Sequence, residues 1–308
     1  MINQQNIFTG KESGDHSAEL ISQYEVFVSS LFQKNGPDPE DDIQILEIIG
    51  QITSGQIDYI RRLMMPILNP ETIIGFSYTK PFGYNGDFFI IEKIYQHFVS
   101  THPYYRKWDE FFHRLPAAIA VVNRKKLAVE ILTKLSRKRR EEQTSVLILG
   151  SGPVTEVNEF LSAAPNPYMH FDLVDLDKRA IAYAKSKNRL FLNQLNFINQ
   201  NVIRYEPDRH FDLIWSAGLF DYFRDKHFVY LLKKFYQLVK PGGEMIIGNF
   251  NVENPSRKIM EVLGDWFLYH RSADDLLSFA MQSGIPFENI SVVAEPLGIN
   301  LFLRLTKS

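Results

Sequence analysis

The chain has 308 residues, a formal net charge of -2 at pH 7 and no cysteine. This length suits two domains, and the near-neutral charge gives no electrostatic reason to expect nucleic acid as a partner. The absence of cysteine excludes disulfides, thiolate zinc sites and a cysteine nucleophile. The first ten residues lack the basic start and apolar centre of a signal peptide, and no apolar run reaches the ~18 residues of a membrane span. We therefore expect a cytoplasmic protein without a membrane span.

The N-terminal part of the chain is predicted to be helical, because apolar side chains recur there at helical spacing. One such series is Leu20, Ile21, Tyr24, Phe27, Leu31 and Phe32, and a second is Ile45, Ile49, Ile52, Ile60 and Met64. Further helices are predicted over 88–100, after Asp87 as N-cap, over 105–114, and from Pro116 to about residue 140. Residues 75–87 hold three glycines and a proline and are predicted to form a shaped loop.

After residue 140, short apolar runs alternate with helical stretches, which is typical of a parallel sheet covered by helices. The predicted strands are 145–149, 170–175, 196–199, 211–216, 244–249, and two more near 290–294 and 300–306. The turn between the last two is too short for a crossover helix, so these strands are predicted to be antiparallel. The sequence thus predicts an all-helical domain over 1–140 and an α/β domain with a seven-stranded, mostly parallel sheet over 141–308.

Four segments in a fixed order indicate a nucleotide-type cofactor site. Gly150-Ser151-Gly152 follows the first strand and opens a helix, where glycines let the backbone approach a ligand and free N–H groups face it; a turn without a ligand is an equal interpretation. Asp175 ends the next strand, where its carboxylate could accept both ribose hydroxyls, whereas capping of the next helix better suits Asp177. Asn201 after the third strand either reads an adenine edge or is a plain turn residue. The segment 238–243, LVKPGG, is predicted to end a helix ahead of the fifth strand.

These segments, GSG, VDLD, QNV, FDLIWS and LVKPGG, with a terminal antiparallel strand, resemble the class I methyltransferases over residues 143–308. The resemblance implies a Rossmann-like sheet with S-adenosyl-L-methionine at the carboxyl ends of its strands. It also implies that the cofactor is bound by Gly150, Ser151, Gly152, Asp175, Leu176, Asn201, Val202 and Ser216. The sequence departs from the family at Ile148, where the family has an acidic residue, and at Val154, where it has a third glycine.

A closer resemblance extends upstream to residue 75. It is carried by YTKPFGYNGD (78–87), LPAAIAVVNRK (115–125), SAGLFDYF (216–223) and GNF…NPSR…DWFLYHR (248–271). These strings are similar to a bacterial methyltransferase subgroup labelled extracellular-factor 3-hydroxypalmitic acid methyl ester biosynthesis proteins. The resemblance implies a fatty-acid carboxyl methyltransferase, and the residues themselves leave the acceptor open.

The acceptor decides whether a catalytic base is needed. A carboxylate is already ionised near neutral pH and needs none, whereas a hydroxyl or amine needs one, and no histidine stands out as that base. Tyr78 and Tyr84, on the glycine-rich segment, and Tyr222, after the fourth strand, are the predicted catalytic residues, with space filling as the alternative role. Lys80 or Arg124 could neutralise a carboxylate of the acceptor or the cofactor, although for each alone a surface salt bridge is the simpler interpretation.

Other functions agree less well with the sequence. A nicotinamide dehydrogenase would have glycine in place of Thr155, and a nucleic-acid amino-methyltransferase would have an Asn/Asp-Pro-Pro-aromatic string where 216–219 reads SAGL. The basic run over 125–140 favours a solvated helix over nucleic-acid binding. A non-methylating enzyme that transfers or cyclises an arm of the same cofactor, and a non-catalytic cofactor-binding module, stay open as alternatives.

We therefore predict an S-adenosylmethionine-dependent methyltransferase that acts on a small molecule by in-line displacement, with a fatty-acid carboxylate first among the acceptors. No metal ion and no nucleic acid are expected. The helical N-terminal domain is predicted to close over the active site and to offer a surface for a homodimer.

Overall fold

The computed structural model describes the backbone of residues 12–308 and the side chains of residues 22–308. The first ten residues, and the side chains of Leu20 and Ile21 used in the helix prediction, lie outside this range. The helices are α1 (Glu12–Gln33), α2 (Asp42–Gly50), α3 (Ile57–Leu63), α4 (Ile73–Thr79), α5 (Phe88–Tyr95), α6 (Pro103–Arg114), α7 (Pro116–Lys138), α8 (Thr155–Ala163), α9 (Lys178–Lys187), α10 (Asp225–Tyr236), α11 (Arg257–Val262) and α12 (Ala273–Gln282). The strands are β1 (Thr144–Leu149), β2 (Met169–Asp175), β3 (Leu195–Asn199), β4 (Phe211–Ser216), β5 (Val239–Phe250), β6 (Ile290–Ala294) and β7 (Asn300–Thr306).

The strands form one seven-stranded sheet in the order β3-β2-β1-β4-β5-β7-β6. Neighbours from β3 to β5 are parallel, and β7 is antiparallel to both β5 and β6. This confirms the predicted mostly parallel sheet and its antiparallel final pair. The strand order reverses between β1 and β4, and ligands of such sheets bind outside the carboxyl ends of the strands at this point.

Strand β1 shows why its sequence is apolar without a break. Val146 and Ile148 belong to one buried cluster and Leu147 and Leu149 to another, so both faces of the strand are covered. A parallel strand buried on both faces carries a continuous apolar run instead of an alternating one. Ile148 is therefore a core residue of the sheet.

Strand β5 begins earlier than predicted. The preceding helix ends at Tyr236, Val239 already pairs with β4, and regular pairing resumes at Glu244. Between them residues 240–243 bulge, and Gly242 has a φ of +74° that a β-bulge accommodates with glycine. The predicted helix end at LVKPGG is thus wrong, and the segment is a bulged start of the strand.

The segment 75–87 is not one loop. Its first residues belong to α4, which ends at Thr79, and only the part from Lys80 to Asp87 forms turns. Asp87 caps α5 as predicted, since its Oδ1 accepts from the N–H groups of Phe89 and Ile90 at 2.8 and 3.0 Å. The helix is shorter than predicted because His97, at a φ of +52°, ends it in a left-handed turn.

The chain divides into two compact units, and their limits differ from the predicted boundary at residue 140. One unit comprises Met1–Thr79, Val99–Phe112 and Lys258–Asp265, and the other comprises Lys80–Phe98, His113–Arg257 and Trp266–Ser308. Helix α7 packs against α5 and α8, so both α5 and α7 belong with the sheet. No helix within the described residues is long and apolar enough to cross a membrane.

The helical unit has its own buried polar anchor. The carboxylate of Asp109 accepts from the backbone N–H groups of Ile73 and Ser100 at 2.8 and 2.9 Å. Asp109 is fully buried, and a buried carboxylate is tolerated when such hydrogen bonds satisfy it. The anchor joins α6 to the start of α4 within this unit.

Candidate functional site

The loop after β1 turns through three residues in the left-handed region. Gly150, Gly152 and Val154 have φ angles of +65°, +52° and +57°. Glycine adopts this conformation without steric cost, whereas the β-branched Val154 does not. At Val154 the backbone therefore has a left-handed conformation that glycine adopts more readily than valine does.

Asp175 lies at the end of β2 and faces this loop. Its Oδ2 accepts from the N–H of Gly152 at 2.8 Å, and its Oδ1 accepts from the N–H of Asp177 at 2.9 Å. Burial raises the pKa of the Asp175 carboxyl, while these two hydrogen bonds act in the opposite direction. The carboxylate is thus held in place beside the glycine loop, with lone pairs left to accept from ligand hydroxyls.

Three more predicted cofactor residues follow β2 and β3. Leu176 comes directly after Asp175 and is 67% exposed, and Asn201 and Val202 come after β3. Oδ1 of Asn201 accepts from the N–H of Ile203 at 2.9 Å, which is an Asx-type turn. All three line the same cavity as Asp175, so the structure brings together the residues that the sequence placed on separate loops.

The side chain of Ser216, a predicted cofactor residue, forms a hydrogen bond within the sheet. Its hydroxyl donates to the carbonyl of Leu149 at 2.9 Å, and the residue is 1% exposed. It ties β4 to the end of β1 and is not among the residues that line the cavity. The lining here comes from its neighbours Trp215, Ala217 and Gly218.

We use the name strap for residues 80–87, whose central part is held by three hydrogen bonds. Tyr84 donates its hydroxyl to Oδ2 of Asp177 at 3.0 Å, and Arg179 donates to the Phe82 carbonyl at 2.7 Å. Tyr222 donates its hydroxyl to the Asn85 carbonyl at 3.0 Å. Tyr84, Asn85 and Gly86 of the strap line the cavity.

The three predicted catalytic tyrosines are not equivalent. Tyr84 and Tyr222 line the cavity. Tyr78 is absent from that lining and lies on α4 in the helical unit, where the guanidinium of Arg61 is 5.4 Å from its ring centroid. Helix α4 ends at Thr79, so Tyr78 belongs to the helix whereas Tyr84 belongs to the strap.

The cavity lies within the sheet unit and has a volume of about 890 Å³. Its lining includes the glycine loop, Asp175 and Asn201. The lining also includes aromatic and aliphatic residues, among them Phe88, Ile91, Tyr95, Trp215, Leu219, Phe223, Phe250, Trp266 and Leu268. Typical ligand pockets span ~300–1,000 Å³, so this volume suits a cofactor with an acceptor beside it.

Three charged residues of the lining were not assigned to the site from the sequence, although Arg124 was named as a candidate for neutralising a carboxylate. Arg124 on α7, Glu156 on α8 and Asp221 after β4 are 6%, 8% and 1% exposed. A signal for Arg124 existed, because it shares the buried side of α7 with Val121 and Ala128 at helical spacing. For Glu156 and Asp221 the sequence carries no comparable signal.

The electrostatics of this cluster are dominated by burial. Burial raises the pKa of Asp221 to about 6 and also raises the pKa of Glu156. It raises the pKa of Tyr95 to about 12 and that of Tyr222 well above its ordinary range. Both phenols are therefore protonated at neutral pH, and no histidine of the described chain lines the cavity.

The cavity fits the S-adenosyl cofactor that the sequence resemblance implies. Asp175 provides acceptors for ribose hydroxyls beside a glycine loop that leaves room for close approach. Two buried polar atoms of the lining have no hydrogen-bond partner within the described structure, Oδ1 of Asn85 and Nε of Arg124. A ligand with polar groups would satisfy both.

Comparison with known proteins agrees with this site. Residues 146–243 match the family model described as a methyltransferase domain. Over 110 residues the chain is 30% and 29% identical to malonyl-[acyl-carrier protein] O-methyltransferases 1 and 2 of Ilyobacter polytropus. Each match covers 36% of this chain and about two fifths of the relative, 39% and 40%. Over residues 146–243 the chain is thus similar to a methyltransferase domain.

Solved structures share the fold. A possible exported protein from Bordetella parapertussis superposes with a TM-score of 0.60 at 15% identity, covering 97% of this chain and 99% of that one. The CMeT domain of citrinin polyketide synthase gives a TM-score of 0.50 at 13% identity, covering 65% of this chain and 59% of that one. At these identities the likeness concerns the fold, which is the Rossmann-like methyltransferase fold with a helical N-terminal region.

Proposed function

We propose that this chain is an S-adenosylmethionine-dependent methyltransferase whose acceptor is the carboxylate of a fatty acid, with 3-hydroxy acids first among candidates. The observation that carries the proposal is a single cavity that is lined both by the glycine loop with Asp175 and by many aromatic and aliphatic side chains. The resemblance to the 3-hydroxypalmitic acid methyl ester subgroup supports this acceptor class. The Ilyobacter relatives are named O-methyltransferases, which supports transfer to oxygen.

The chemistry supplied by the cofactor is an in-line displacement: a lone pair of the acceptor oxygen forms the new C–O bond while the C–S bond breaks and its electron pair goes to sulfur. The protein has to hold the two reactants aligned and dry, and such positioning contributes roughly 7–11 kcal/mol. We assign the ribose to Asp175, the adenine to Leu176, Asn201 and Val202, and the close approach to Gly150, Ser151 and Gly152.

Tyr84 and Tyr222 are proposed to position the acceptor and not to remove a proton. The pKa of each phenol is raised by burial, so both stay protonated near neutral pH. The hydroxyl of Tyr222 already donates to Asn85 and accepts from Nε1 of Trp266 at 2.9 Å. A carboxylate acceptor suits such a site because it needs no base.

Asp221 favours a second candidate, methylation of a hydroxyl group. With a pKa of about 6 it lines the cavity and could accept a proton near neutral pH. In that case the proton of the acceptor hydroxyl would move to the Asp221 carboxylate as the C–O bond forms. The two candidates therefore differ in whether Asp221 is needed for turnover.

The first test is calorimetric titration of the protein with S-adenosylmethionine and, in parallel, with NADH. We expect micromolar binding of S-adenosylmethionine and none of NADH. The protein is then incubated with 3-hydroxydodecanoate and labelled cofactor, and the methyl ester is identified by mass spectrometry. Failure to bind S-adenosylmethionine would contradict the proposal.

Asp221→Asn separates the two acceptor candidates. Turnover of a carboxylate should stay within a few-fold of wild type, because no proton is removed. Turnover of a hydroxyl should fall about 10²–10⁴-fold, which is the usual contribution of a general base. The position of the methyl group in the product, ester or ether, gives an independent answer.

The cytoplasmic location, the small-molecule acceptor without nucleic acid, the homodimer and the lid role of the N-terminal helices stay predictions. Size-exclusion chromatography with light scattering measures the oligomeric state directly.

A further inference from the structure

Arg124 is a buried cation at the wall of the cavity. It projects from α7, is 6% exposed, and lines the cavity together with Gly218 and Asp221. Its Nε has no hydrogen-bond partner, and none of the ion pairs found within 4 Å among residues 22–308 involves it. A guanidinium is always protonated, and an unpaired buried charge is costly. The protein therefore keeps a charge here that its own groups leave partly unsatisfied.

The other cations of the lining differ from Arg124. Lys178 and Arg179 are exposed, and Arg179 is already paired with Asp177 through Nε at 2.9 Å. Within the described lining, Arg124 is thus the one buried cation. A carboxylate gains more from a buried guanidinium than from an exposed one, because the local dielectric is lower at a buried site.

The surroundings of Arg124 are built to hold the guanidinium in place. A Cβ added to Gly218 would lie 3.0 Å from Nη2, so the loop after β4 packs directly on the guanidinium. The hydroxyl of Tyr95 interacts with it from α5. The neighbouring carboxyls of Asp221 and Glu156 are buried, and burial raises the pKa of both. Neither forms the close ion pair that would occupy the guanidinium.

We infer that Arg124 is a carboxylate-binding residue of the cavity, an inference that rests on the proposed function for its choice of ligand. The planar guanidinium matches a carboxylate in geometry as well as in charge. Two ligands of the proposed reaction carry this group: the amino-acid end of the cofactor and the fatty-acid acceptor. Arg124 binds the carboxylate of one of them.

The experiment compares ligands that differ in the carboxylate. Wild type and Arg124→Gln are titrated by calorimetry with S-adenosylhomocysteine and with 5′-methylthioadenosine, which lacks the amino-acid end. Both proteins are then titrated with 3-hydroxydodecanoate and its methyl ester in the presence of S-adenosylhomocysteine. Arg137→Gln, an exposed arginine on the same helix, is the matched control and should bind every ligand as wild type does.

We expect Arg124→Gln to weaken one carboxylate ligand at least tenfold and to leave its uncharged analogue within twofold. If the variant binds S-adenosylhomocysteine more weakly than wild type does but binds methylthioadenosine equally well, Arg124 binds the carboxylate of the cofactor. If the variant binds the fatty acid more weakly but binds its methyl ester equally well, Arg124 binds the carboxylate of the acceptor. Unchanged affinity for both carboxylates, or an equal loss for the analogues, overturns the inference.

Two further measurements keep the test decisive. Arg124→Lys keeps the buried charge, so it provides a folded variant if the glutamine variant does not fold, and it should weaken the same carboxylate ligand several-fold without affecting the analogue. If Arg124→Lys bound every ligand as tightly as wild type does, the inference would be overturned. If wild-type protein binds neither carboxylate ligand, both the proposed function and the inference are overturned. If wild-type protein binds them and the Arg124 variants bind them equally well, only the inference is overturned.

Discussion

The hydroxyl of Tyr84 lies 3.0 Å from Oδ2 of Asp177, and this hydrogen bond joins the strap to the N-cap of α9. The pKa of Tyr84 is raised by burial and by the hydrogen bond to Asp177, so the phenol remains a donor at physiological pH. Asp177 is two residues from Asp175, and both line the cavity together with Tyr84. A ligand held by Asp175 therefore lies beside a contact that fastens the strap.

Tyr84→Phe should release the cofactor product faster. The variant keeps the ring but loses one hydrogen bond, and a bond of this kind contributes ~0.5–1.5 kcal/mol, or about two- to tenfold in rate. The dissociation rate of S-adenosylhomocysteine is measured by stopped-flow displacement. Tyr230→Phe, at an exposed tyrosine on α10, is the control. An unchanged rate in Tyr84→Phe would show that the strap does not limit release.

Asp175→Ala should weaken S-adenosylmethionine binding by about 10- to 150-fold, because hydrogen bonds to a charged group contribute ~1.5–3 kcal/mol. Calorimetry gives the affinity, and Asp274→Ala, at an exposed carboxylate on α12, should bind as wild type does.

Since Asp175 also accepts from the N–H of Gly152, part of this loss could come from the loop. Asp175→Asn keeps one acceptor oxygen for that N–H and separates the two effects. Affinity within twofold of wild type in both variants would exclude Asp175 as the ribose ligand.

Much of the sheet unit could be predicted from the sequence, and particular residues show why. The apolar run of β1 reflects burial on both faces, and the short turn before β7 allows only an antiparallel pair. The presence of Gly152, Asp175 and Asn201 in one cavity was predictable because each lies at or shortly after the end of a recognisable strand. A strand end is a local pattern, and the sheet brings all strand ends to one edge.

Other parts of the lining were less predictable, because they are made by contacts between distant segments. For Arg124 a surface salt bridge was the simpler of two interpretations, yet α7 buries it against the loop after β4. Ser216 stands at a strand end like the other site residues, but its side chain turns to Leu149. Tyr78 and Tyr84 share one motif, and the end of α4 between them places only Tyr84 in the lining. Such outcomes depend on packing that no short string encodes.

Asp221→Asn should stabilise the protein at high pH and not at low pH. The ordinary pKa of aspartate is 3.8, and burial raises that of Asp221 to about 6 in the folded state. As the pH rises from about 4 to 6 the unfolded chain loses this proton first, so the folded state becomes relatively less stable. Above pH 6 the destabilisation is complete, and asparagine removes it while keeping an acceptor for the Phe250 N–H.

The measurement is the melting temperature of wild type and Asp221→Asn from pH 5 to pH 8. We expect the variant to melt a few degrees higher at pH 8, with the difference shrinking toward pH 5. Asp208→Asn, at an exposed position, should show no such trend. A variant that is less stable at pH 8 would mean that the attraction of ionised Asp221 to Arg124 exceeds its desolvation cost.

Val154 allows a test of backbone strain in the glycine loop. Its φ of +57° places a β-branched residue in the left-handed region, where a Cβ costs roughly 1–2 kcal/mol. Val154→Ala keeps that strain and loses two buried methyl groups, whereas Val154→Gly loses the whole side chain but relieves the strain. We therefore expect the glycine variant to be at least as stable as the alanine variant in urea unfolding.

Val157, equally buried but inside α8, is the matched control for this comparison. There the backbone is helical, and glycine should be less stable than alanine by ~0.5–1 kcal/mol. The order of the two variants should thus reverse between positions 154 and 157. If the glycine variant is less stable than the alanine variant by the same amount at positions 154 and 157, the left-handed conformation of Val154 carries no strain. Valine in place of glycine would then not destabilise the loop.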